Sequence, residues 1–399
     1  MDQGNLENNH INSNMRKVAL TALAGTSIEW YDFFLYGAAA ALIFPTAFFG
    51  EVPPSTALIL SLLTFAAGFI ARPIGGIIFG HFGDKIGRKK TLISALMLMG
   101  ISSTLIGLLP TYAMIGVAAP ILLTLLRFAQ GLAIGGQWGG AMLLVTESAP
   151  SNQRGYYGAF AQAGAPIGVI LANLALIITS ALVSEEFFNT WGWRIPFLAS
   201  AVLIVISMYI QLNLEDTKAF KELAVHRNEQ HTDAASVIKR SPIIEAIRKY
   251  PKRIILAAGA FLSVQVTFYI LIAFLLAYGV QNANMARDDM LAAVLIASAI
   301  MVPMQFVFSS YSDRHGRRGI FMLGAVLSGL WAFAIFPLVD TGNFLLIVLA
   351  ISGGLIFLAM MYGPQAAFFT ELFSTEVRYS GATLGYQFGA IIGLSLIHI

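Results

Sequence analysis

The sequence predicts an all-α integral membrane protein built from two related six-helix halves, with the second half truncated in the eleventh helix. Three observations lead to this fold class. Hydrophobic residues make up 57% of the 399 residues and charged residues only 11%, whereas a soluble domain has about 25% charged residues. The apolar residues form long continuous runs. Two loop motifs of the first half recur in the second half.

About eleven apolar segments are each long enough to cross a bilayer as a helix, which takes roughly 20 residues. Because these runs are continuous and do not alternate apolar with polar residues, we expect helices rather than the strands of a barrel. Residues 1–15 are polar and lack the apolar core of a signal peptide, so we expect a short disordered tail there. The approximate limits of the segments are 18–43, 56–80, 91–109, 114–146, 156–183, 195–214, 253–280, 290–312, 319–338, 344–370 and 379–399.

The basic residues predict the orientation of these helices. All but four of the 24 Lys and Arg residues lie in the N-terminal segment or in every second loop. The four exceptions are Arg72, Arg127, Arg194 and Arg287. Loops rich in Lys and Arg stay in the cytoplasm. We therefore predict a multi-pass protein of the cytoplasmic (inner) membrane, with its N-terminus and all its basic loops in the cytoplasm.

The longest polar stretch, 215–252, separates an N-terminal half (16–214) from a C-terminal half (253–399). "GHFGDKIGRKK" (80–90) recurs as "SSYSDRHGRRG" (309–319), and "TESAPSNQRGYYG" recurs as "TELFSTEVRYSG" in the same helix order. This repetition indicates a duplicated six-helix unit, and it favours a linker over an ordinary cytoplasmic loop.

The duplication predicts six helices in the second half, but the sequence ends at Ile399 within the eleventh segment. We therefore expect a truncated second half of about five helices. The alternative is an eleven-helix protein with its C-terminus outside.

The loop after the second segment resembles the signature loop of the major facilitator superfamily. Its matching residues are Gly80, Asp84, Gly87, Arg88 and Lys89. "RFAQGLAIGGQWGGA", which starts at Arg127, resembles the fourth-helix motif of that superfamily.

Three further stretches, "IEWYDFFLYG", "RPIGGIIFGHFGD" and "WGWRIPFL", resemble the metabolite:proton symporter subfamily. That subfamily includes shikimate, α-ketoglutarate, citrate and proline/betaine transporters, and the shikimate type is the most similar. Two departures are visible: Ser309 replaces the first glycine of the repeated loop, and Gln137 stands where these relatives usually carry an acid.

The resemblance implies a carrier that works by alternating access around a site near the middle of the membrane. It implies import of a small organic acid or zwitterion, such as shikimate, with a proton. The alternatives are an exporter or uniporter of the same fold, and a membrane sensor that binds a metabolite without moving it. A sensor needs an output domain, and the linker is too short to be one.

The sequence shows no nucleotide-binding glycine loop and no metal-ligand spacing of its six histidines. We therefore expect no enzyme activity, no metal, no cofactor and no nucleic-acid partner, with the proton gradient as the energy source. The expected partners are the substrate, protons and the lipid bilayer, and the expected state is a monomer.

Glu29 and Asp32 lie in the middle of the first apolar segment, and Tyr36 extends the same helix face. A carboxylate in hydrocarbon costs on the order of 2.5–3.5 kcal/mol, so we expect both acids to face the bundle interior or a water-filled cavity. Burial raises a carboxyl pKa and a nearby cation lowers it, so an acid exposed to both influences can exchange protons near neutral pH. We predict proton coupling at Asp32 and Glu29. The alternative is that they only pair with a base between helices.

Arg127 and Arg72 are the candidate partners of these acids. Arginine stays charged and binds carboxylates through two hydrogen bonds. One hypothesis is an exchange, in which the substrate carboxylate binds Arg127 and frees Asp32 to take a proton. The other is a permanent Asp32–Arg127 pair that fixes helix packing. Arg72 is a candidate for gating or a structural role as well as for substrate binding.

Polar residues on other segments are candidates to complete a substrate pocket, although each of them alone is as well explained by interhelical packing. The predicted substrate-binding residues are Arg127, Gln130, Gln137, Trp138, Tyr36, Gln265, Tyr269 and Gln365. Gln162, Asn173 and Tyr362 are further candidates.

The resemblance also implies that the signature loop latches the two halves together and releases them during transport. Charge pairs with helix ends and with neighbouring ionic residues are the physical basis we expect. The predicted gating residues are Gly80, Asp84, Gly87, Arg88, Arg72, Glu147, Arg154, Asp313 and Arg317. Glycines at every fourth position, at 131, 135 and 139 and from 381 to 393, predict close helix packing.

Overall fold

The computed structural model describes residues 3–86, 88–212, 242–374 and 377–395 of the chain. The side chains of residues 83–89 lie outside that description. The described part consists of helices joined by short connections and contains no strand, which confirms the all-α prediction. Most of the predicted 215–252 linker falls outside the described residues, and the boundaries of the two halves stay a prediction.

Eleven long helices follow one another in the described part of the chain. They are α1 (Gln3–Leu42), α2 (Pro54–Ile86), α3 (Arg88–Leu108), α4 (Ala118–Ser148), α5 (Arg154–Leu182), α6 (Arg194–Leu212), α7 (Pro251–Tyr269), α8 (Arg287–His315), α9 (Arg317–Asp340), α10 (Phe344–Glu371) and α11 (Arg378–Ser395). Short helices lie between them at Phe44–Phe49, Tyr112–Ile115, Glu185–Phe187 and Pro242–Lys249. Because α1 begins at Gln3, it includes most of the stretch expected to be a tail.

Two of the predicted segments are interrupted in the structure. The fourth is broken at Gly116, whose φ of 59° suits a residue without a side chain and ends the short helix before α4. The seventh passes from α7 through a π-helical turn at Ile270–Phe274 into a last helical piece, Leu275–Gln281. A π turn inserts one residue into the helix and rotates the side chains on either side of it.

Seven helices of the described part are long and apolar enough to cross a membrane, and eight if one bent pair counts as a single span. That pair joins Glu185–Gly192 to Arg194–Ile206 at an angle of 52°. The remaining predicted spans are less apolar over their described length. α1 carries Glu29 and Asp32 in its middle, and the apolar part of α3 is short, Ile93–Leu108.

Glycines set the closest helix contacts of the first half. α2 packs along α4. The two helices come closest where Gly131 lies against the backbone of Gly68 and where Gly135 lies against the backbone of Arg72. A methyl group at either glycine would overlap the α2 backbone. α1 packs along α5, and α3 packs along α6. The close packing expected from the glycine spacing is therefore present, and its partner helix is α2.

In the second half, α10 packs between α8 and α9, and α7 packs along α11. The ring of Tyr386 on α11 lies 3.9 Å from the ring of Phe261 on α7, measured between centroids. The two halves meet where α5 contacts α8 and α10, and where α2 and α4 contact α11. Gln387 of α11 donates a hydrogen bond of 3.2 Å to the backbone oxygen of Gly135 across this boundary.

We call the ends of α4, α8 and α10 together with the starts of α5, α9 and α11 the basic end, because the loops there carry Lys and Arg. By the charge pattern of the sequence this end is predicted to face the cytoplasm.

Candidate functional site

A buried polar stripe runs along α1. Glu29, Asp32 and Tyr36 are 5%, 1% and 0% exposed, respectively. The spacing of three and four residues places them on one helix face, and that face is covered by neighbouring helices. As expected, neither acid faces the lipid.

Asp32 is held by α6. The hydroxyl Oγ of Ser200 donates a hydrogen bond to Oδ1 of Asp32. A second bond between the same helices, of 2.8 Å from the hydroxyl of Tyr31 to the backbone oxygen of Pro196, fixes α6 against α1 one turn away. The other carboxylate oxygen, Oδ2 of Asp32, has no hydrogen-bond partner among the described residues. One oxygen is thus fixed by Ser200 and the other lacks a hydrogen-bond partner in that part of the chain, while the hydroxyl of Ser103 lies near the same carboxylate.

Arg127 lies near Asp32 but is bound elsewhere. Its Nη1 donates a 3.1 Å hydrogen bond to Oε1 of Gln130, whose Nε2 donates a 2.7 Å bond to Oγ of Ser103. The charge of Arg127 acts on Asp32, yet no salt bridge within 4.0 Å joins the two in the described part of the chain. The predicted partners are therefore neighbours without a direct ion pair.

Aromatic rings surround the guanidinium of Arg127. Its carbon Cζ lies 4.3 Å from the ring centre of Tyr36, 4.6 Å from that of Phe65 and 5.1 Å from that of Phe33. Such cation–π contacts stabilise a buried cation. The hydroxyl of Tyr36 is itself 2.7 Å from Oγ1 of Thr64.

Arg72 forms a second acid–base neighbourhood with Glu29, whose carboxylate lies within the field of its guanidinium. Its Cζ lies 4.7 Å from the ring centre of Phe33 and 4.4 Å from that of Phe69. Both Nη1 and Nη2 of Arg72 are buried without a hydrogen-bond partner among the described residues. Arg72 therefore lies in the interior of the bundle, and the ring of Phe33 contacts both arginines.

Residues of the second half are also buried in the interior, opposite the arginines of the first half. Tyr269 ends α7 directly before the π turn, and its ring centre is 6.2 Å from that of Phe33. The hydroxyl of Tyr269, Nε2 of Gln265 and both amide atoms of Gln365 are buried without a partner in the described ranges. Gln162 of α5 donates a 2.8 Å hydrogen bond to the backbone oxygen of Tyr362 on α10.

The structure brings four of the predicted pocket residues, Arg127, Gln130, Tyr36 and Tyr269, into one interior region around the ring of Phe33. Gln137 is buried, and its Oε1 has no partner in the part of the chain that the structure describes. The side chain of Trp138 lies outside the described residues.

Sequence reasoning missed Ser200, Ser103 and the ring of Phe33. The first two are ordinary hydroxyls in apolar segments and carry no signal of their role. The aromatic run "WYDFF" around Asp32 was a signal for the third.

This interior can perform two kinds of chemistry. Buried carboxylates with an open oxygen can take up a proton. Buried guanidinium nitrogens without partners can bind an anion, because unsatisfied donors in a low-dielectric interior gain most from a charged acceptor.

A latch joins the two halves at the basic end. The carboxylate of Asp313, near the end of α8, accepts hydrogen bonds of 2.8 Å from the backbone N–H groups of Gly155 and Tyr156 in the first turn of α5. Nη1 of Arg317 lies 2.6 Å from Oδ1 of Asp313, and its Nη2 lies 3.1 Å from Oε1 of Glu371. A carboxylate at a helix N-terminus also gains from the helix dipole.

Other predicted latch residues lie around this contact or in the signature loop. Nη1 of Arg378 lies 3.7 Å from Oε1 of Glu147, which joins α11 to α4. Arg154 begins α5. The sequence did not single out Glu371.

The signature loop itself falls largely outside the described residues. Gly87 and the side chains of Asp84 and Arg88 are not described, and neither are the surroundings of Gly80. The gating role of these four residues stays a prediction, as it does for Arg72, Glu147, Arg154, Asp313 and Arg317.

Comparison with known proteins gives one consistent result. Residues 20–394 match the family model of the Major Facilitator Superfamily. The chain is 40% identical over 388 residues to "Inner membrane metabolite transport protein YhjE" of Escherichia coli (strain K12), covering 95% of this chain and 86% of that protein. It is 38% identical over 382 residues to "Shikimate transporter" of the same organism, covering 96% of this chain and 86% of that protein.

A solved structure shares the fold. The proton:xylose symporter XylE bound to 6-bromo-6-deoxy-D-glucose superposes with a TM-score of 0.76, covering 97% of this chain and 88% of that chain. The sequence identity is 15%, so this likeness bears on the fold alone.

Proposed function

The chain belongs to the Major Facilitator Superfamily, and on that premise we propose that it is a proton-coupled symporter that imports a small organic acid, such as shikimate, across the cytoplasmic membrane. Its relatives include metabolite transport proteins and a shikimate transporter. The proton gradient is the energy source of this proposal, and no cofactor takes part.

One observation carries the proposal: Asp32 is buried beside a charged arginine without forming an ion pair with it. Oδ1 is fixed by Ser200 and Oδ2 is open, while Arg127 is bound to Gln130. A permanent packing pair would join the two charges directly, since a buried carboxylate and guanidinium gain most from a short bidentate contact. An acid held apart from its base can instead exchange a proton as its surroundings change.

The arrangement of the halves supports alternating access. The interior polar groups come from α1, α2 and α4 on one side and from α7 and α10 on the other. The Asp313 latch closes the basic end through polar contacts that can form and break. A substrate bound between the halves would then be exposed to one side of the membrane at a time.

The experiment uses the full chain in proteoliposomes with an acidic outside medium and a pH-sensitive dye inside. Labelled shikimate, α-ketoglutarate, citrate and betaine are offered in turn to the wild type, to Asp32→Asn and to Asp340→Asn. Asp340 is the matched control, because it is an exposed acid at the far end of α9 that accepts a hydrogen bond from Tyr278.

We expect the wild type to accumulate one of these compounds and to acidify the interior in proportion. Asp32→Asn abolishes accumulation driven by the gradient but still exchanges labelled for unlabelled substrate, and Asp340→Asn keeps both activities. Uptake by the wild type without proton movement contradicts symport and indicates a uniporter. Efflux alone indicates an exporter, and binding without movement indicates a sensor.

A further inference from the structure

We propose that Arg72, and not Arg127, binds the carboxylate of the transported acid, and that Tyr269 and Gln365 face the same molecule from the second half. The inference rests on the proposed function, because it assigns the anion-binding group of that same site. It reverses the sequence-based hypothesis that the substrate carboxylate binds Arg127.

Arg127 is partly engaged within the first half, although its Nε has no hydrogen-bond partner among the described residues. Nη1 is bonded to Gln130, and the rings of Tyr36 and Phe65 lie against its guanidinium. The close approach of its stem explains why residue 68 is glycine, since a methyl group there would lie 2.7 Å from Nε of Arg127. An incoming anion would have to displace these neighbours.

Arg72 has the opposite character. It is 2% exposed, and both of its terminal nitrogens lack a hydrogen-bond partner among the described residues. These two nitrogens are the pair that binds a carboxylate in a parallel, bidentate manner. The rings of Phe33 and Phe69 lie against the guanidinium and offer its terminal nitrogens no acceptor, and Glu29 is the acid beside it.

Tyr269 of the second half lies near Arg72. Its ring centre is 6.2 Å from that of Phe33, and the ring centre of Phe33 is 4.7 Å from Cζ of Arg72. The hydroxyl of Tyr269 has no partner in the described part of the chain. A carrier substrate must contact both halves, so an anion receptor facing the second half suits this role better than one enclosed in the first.

The unsatisfied amide of Gln365 adds specificity. It lies one helical turn from Tyr362 on α10, it is fully buried, and both Oε1 and Nε2 lack partners among the residues described. A hydroxyl can accept from Nε2, and its hydrogen can be donated to Oε1. The site therefore suits a small acid that carries hydroxyl groups, with its carboxylate on Arg72.

The test measures binding and not transport. Purified full-length wild type, Arg72→Lys and Arg127→Lys are titrated with shikimate and with its neutral methyl ester in an isothermal calorimeter. Lysine keeps the charge at each position but loses the bidentate geometry, and the same substitution at both positions makes Arg127→Lys the matched control.

We expect Arg72→Lys to weaken shikimate binding about ten- to a hundredfold, as for the loss of a hydrogen bond to a charged group, and to leave ester binding unchanged. Arg127→Lys keeps the preference of the wild type for the acid. The reverse pattern, with the preference lost in Arg127→Lys and kept in Arg72→Lys, overturns the inference but leaves the proposed function standing. Failure of the wild type to bind shikimate, and equally α-ketoglutarate and citrate when these are titrated in its place, overturns both.

A second measurement on the wild type is independent of how the variants fold. Phenylglyoxal modifies arginine side chains, and the modified residues are identified by mass spectrometry. We expect shikimate, and not its methyl ester, to slow modification of Arg72 while Arg127 is unaffected. Protection of Arg127 alone, or of both residues equally, contradicts the assignment.

Discussion

Ser200 on α6 donates its hydroxyl hydrogen to Oδ1 of Asp32 on α1, and the other oxygen of that carboxylate has no partner in the described part of the chain. The bond lies wholly within the first half. The position of the proposed proton-binding acid is thus set by α1 and α6, whatever the second half does during transport.

We expect Ser200→Ala to lower the free energy of unfolding by about 1–3 kcal/mol, because a buried carboxylate oxygen loses its donor. The measurement is the unfolding transition of the purified protein in detergent. In the Asp32→Asn background we expect Ser200→Ala to lower the free energy of unfolding by less, because the group that loses its donor is no longer a carboxylate.

Ser263→Ala is the control for this cycle. The hydroxyl of Ser263 bonds to the backbone oxygen of Ala260, one turn earlier on the exposed side of α7, so we expect a change within about 0.5 kcal/mol. Equal losses from Ser200→Ala in both backgrounds would show that the Ser200–Asp32 bond contributes nothing of its own.

We expect Asp313→Asn to open the basic end. The substitution removes the charge paired with Arg317 and weakens the bonds to the first turn of α5. The sequence contains no cysteine, so a single Ala366→Cys substitution reports on this end, since Ala366 of α10 lies against Gly158 of α5. A helix cap contributes about 0.5–2 kcal/mol. If its loss favours the open state by that amount, maleimide should label the cysteine at position 366 in inside-out vesicles about two- to thirtyfold faster.

Asp289→Asn is the matched control for the latch. Asp289 is an exposed acid in the first turn of the same helix, α8, at the opposite end. Its replacement should leave the labelling rate of the Ala366→Cys protein unchanged. Equal rates in Asp313→Asn and the parent protein would mean that Asp313 does not hold the basic end closed.

We expect Gly135→Ala to destabilise the protein by about 1–3 kcal/mol, the usual cost of overpacking. A methyl group at this position would overlap the backbone oxygen of Arg72, and backbone cannot move aside as a flexible side chain can. The readout is the temperature at which the detergent-purified protein loses its monodisperse peak on size exclusion.

Gly259→Ala on α7 provides the comparison. Among the described residues, no neighbouring atom would lie within 4 Å of a methyl group at position 259. Because alanine favours a helix over glycine, we expect this substitution to be neutral or to raise the transition temperature. A similar loss from both substitutions would exclude the α2–α4 contact as its cause, because Gly259 makes no such contact.

Long apolar runs and the alternation of basic loops were enough to predict the helices and their order, because both follow directly from the thickness and polarity of a bilayer. The acids of α1 also marked the interior face correctly. The glycine spacing predicted close contacts, but the partners of those glycines on α2 and α7 were visible only in the fold.

What could not be predicted rests on contacts between distant parts of the chain. Ser200 and Asp32 are 168 residues apart, and a single serine in an apolar helix has no distinguishing feature. The π turn at Ile270–Phe274 has an ordinary apolar sequence, so its effect on Tyr269 leaves no local signal. The different environments of Arg72 and Arg127 depend on which rings and amides surround them.

The latch at the basic end is asymmetric in its chemistry. On the α5 side the carboxylate of Asp313 meets main-chain hydrogens, which every residue except proline carries. The α5 side also requires a glycine at position 155, because a methyl group there would lie too close to Arg317 and to the carboxylate of Asp313. The strength of the Asp313 contact can therefore be adjusted by substitution mainly from the second half, through Asp313, Arg317 and Glu371. At this contact one half supplies the charged side chains, and the other supplies main-chain donors that most substitutions leave in place.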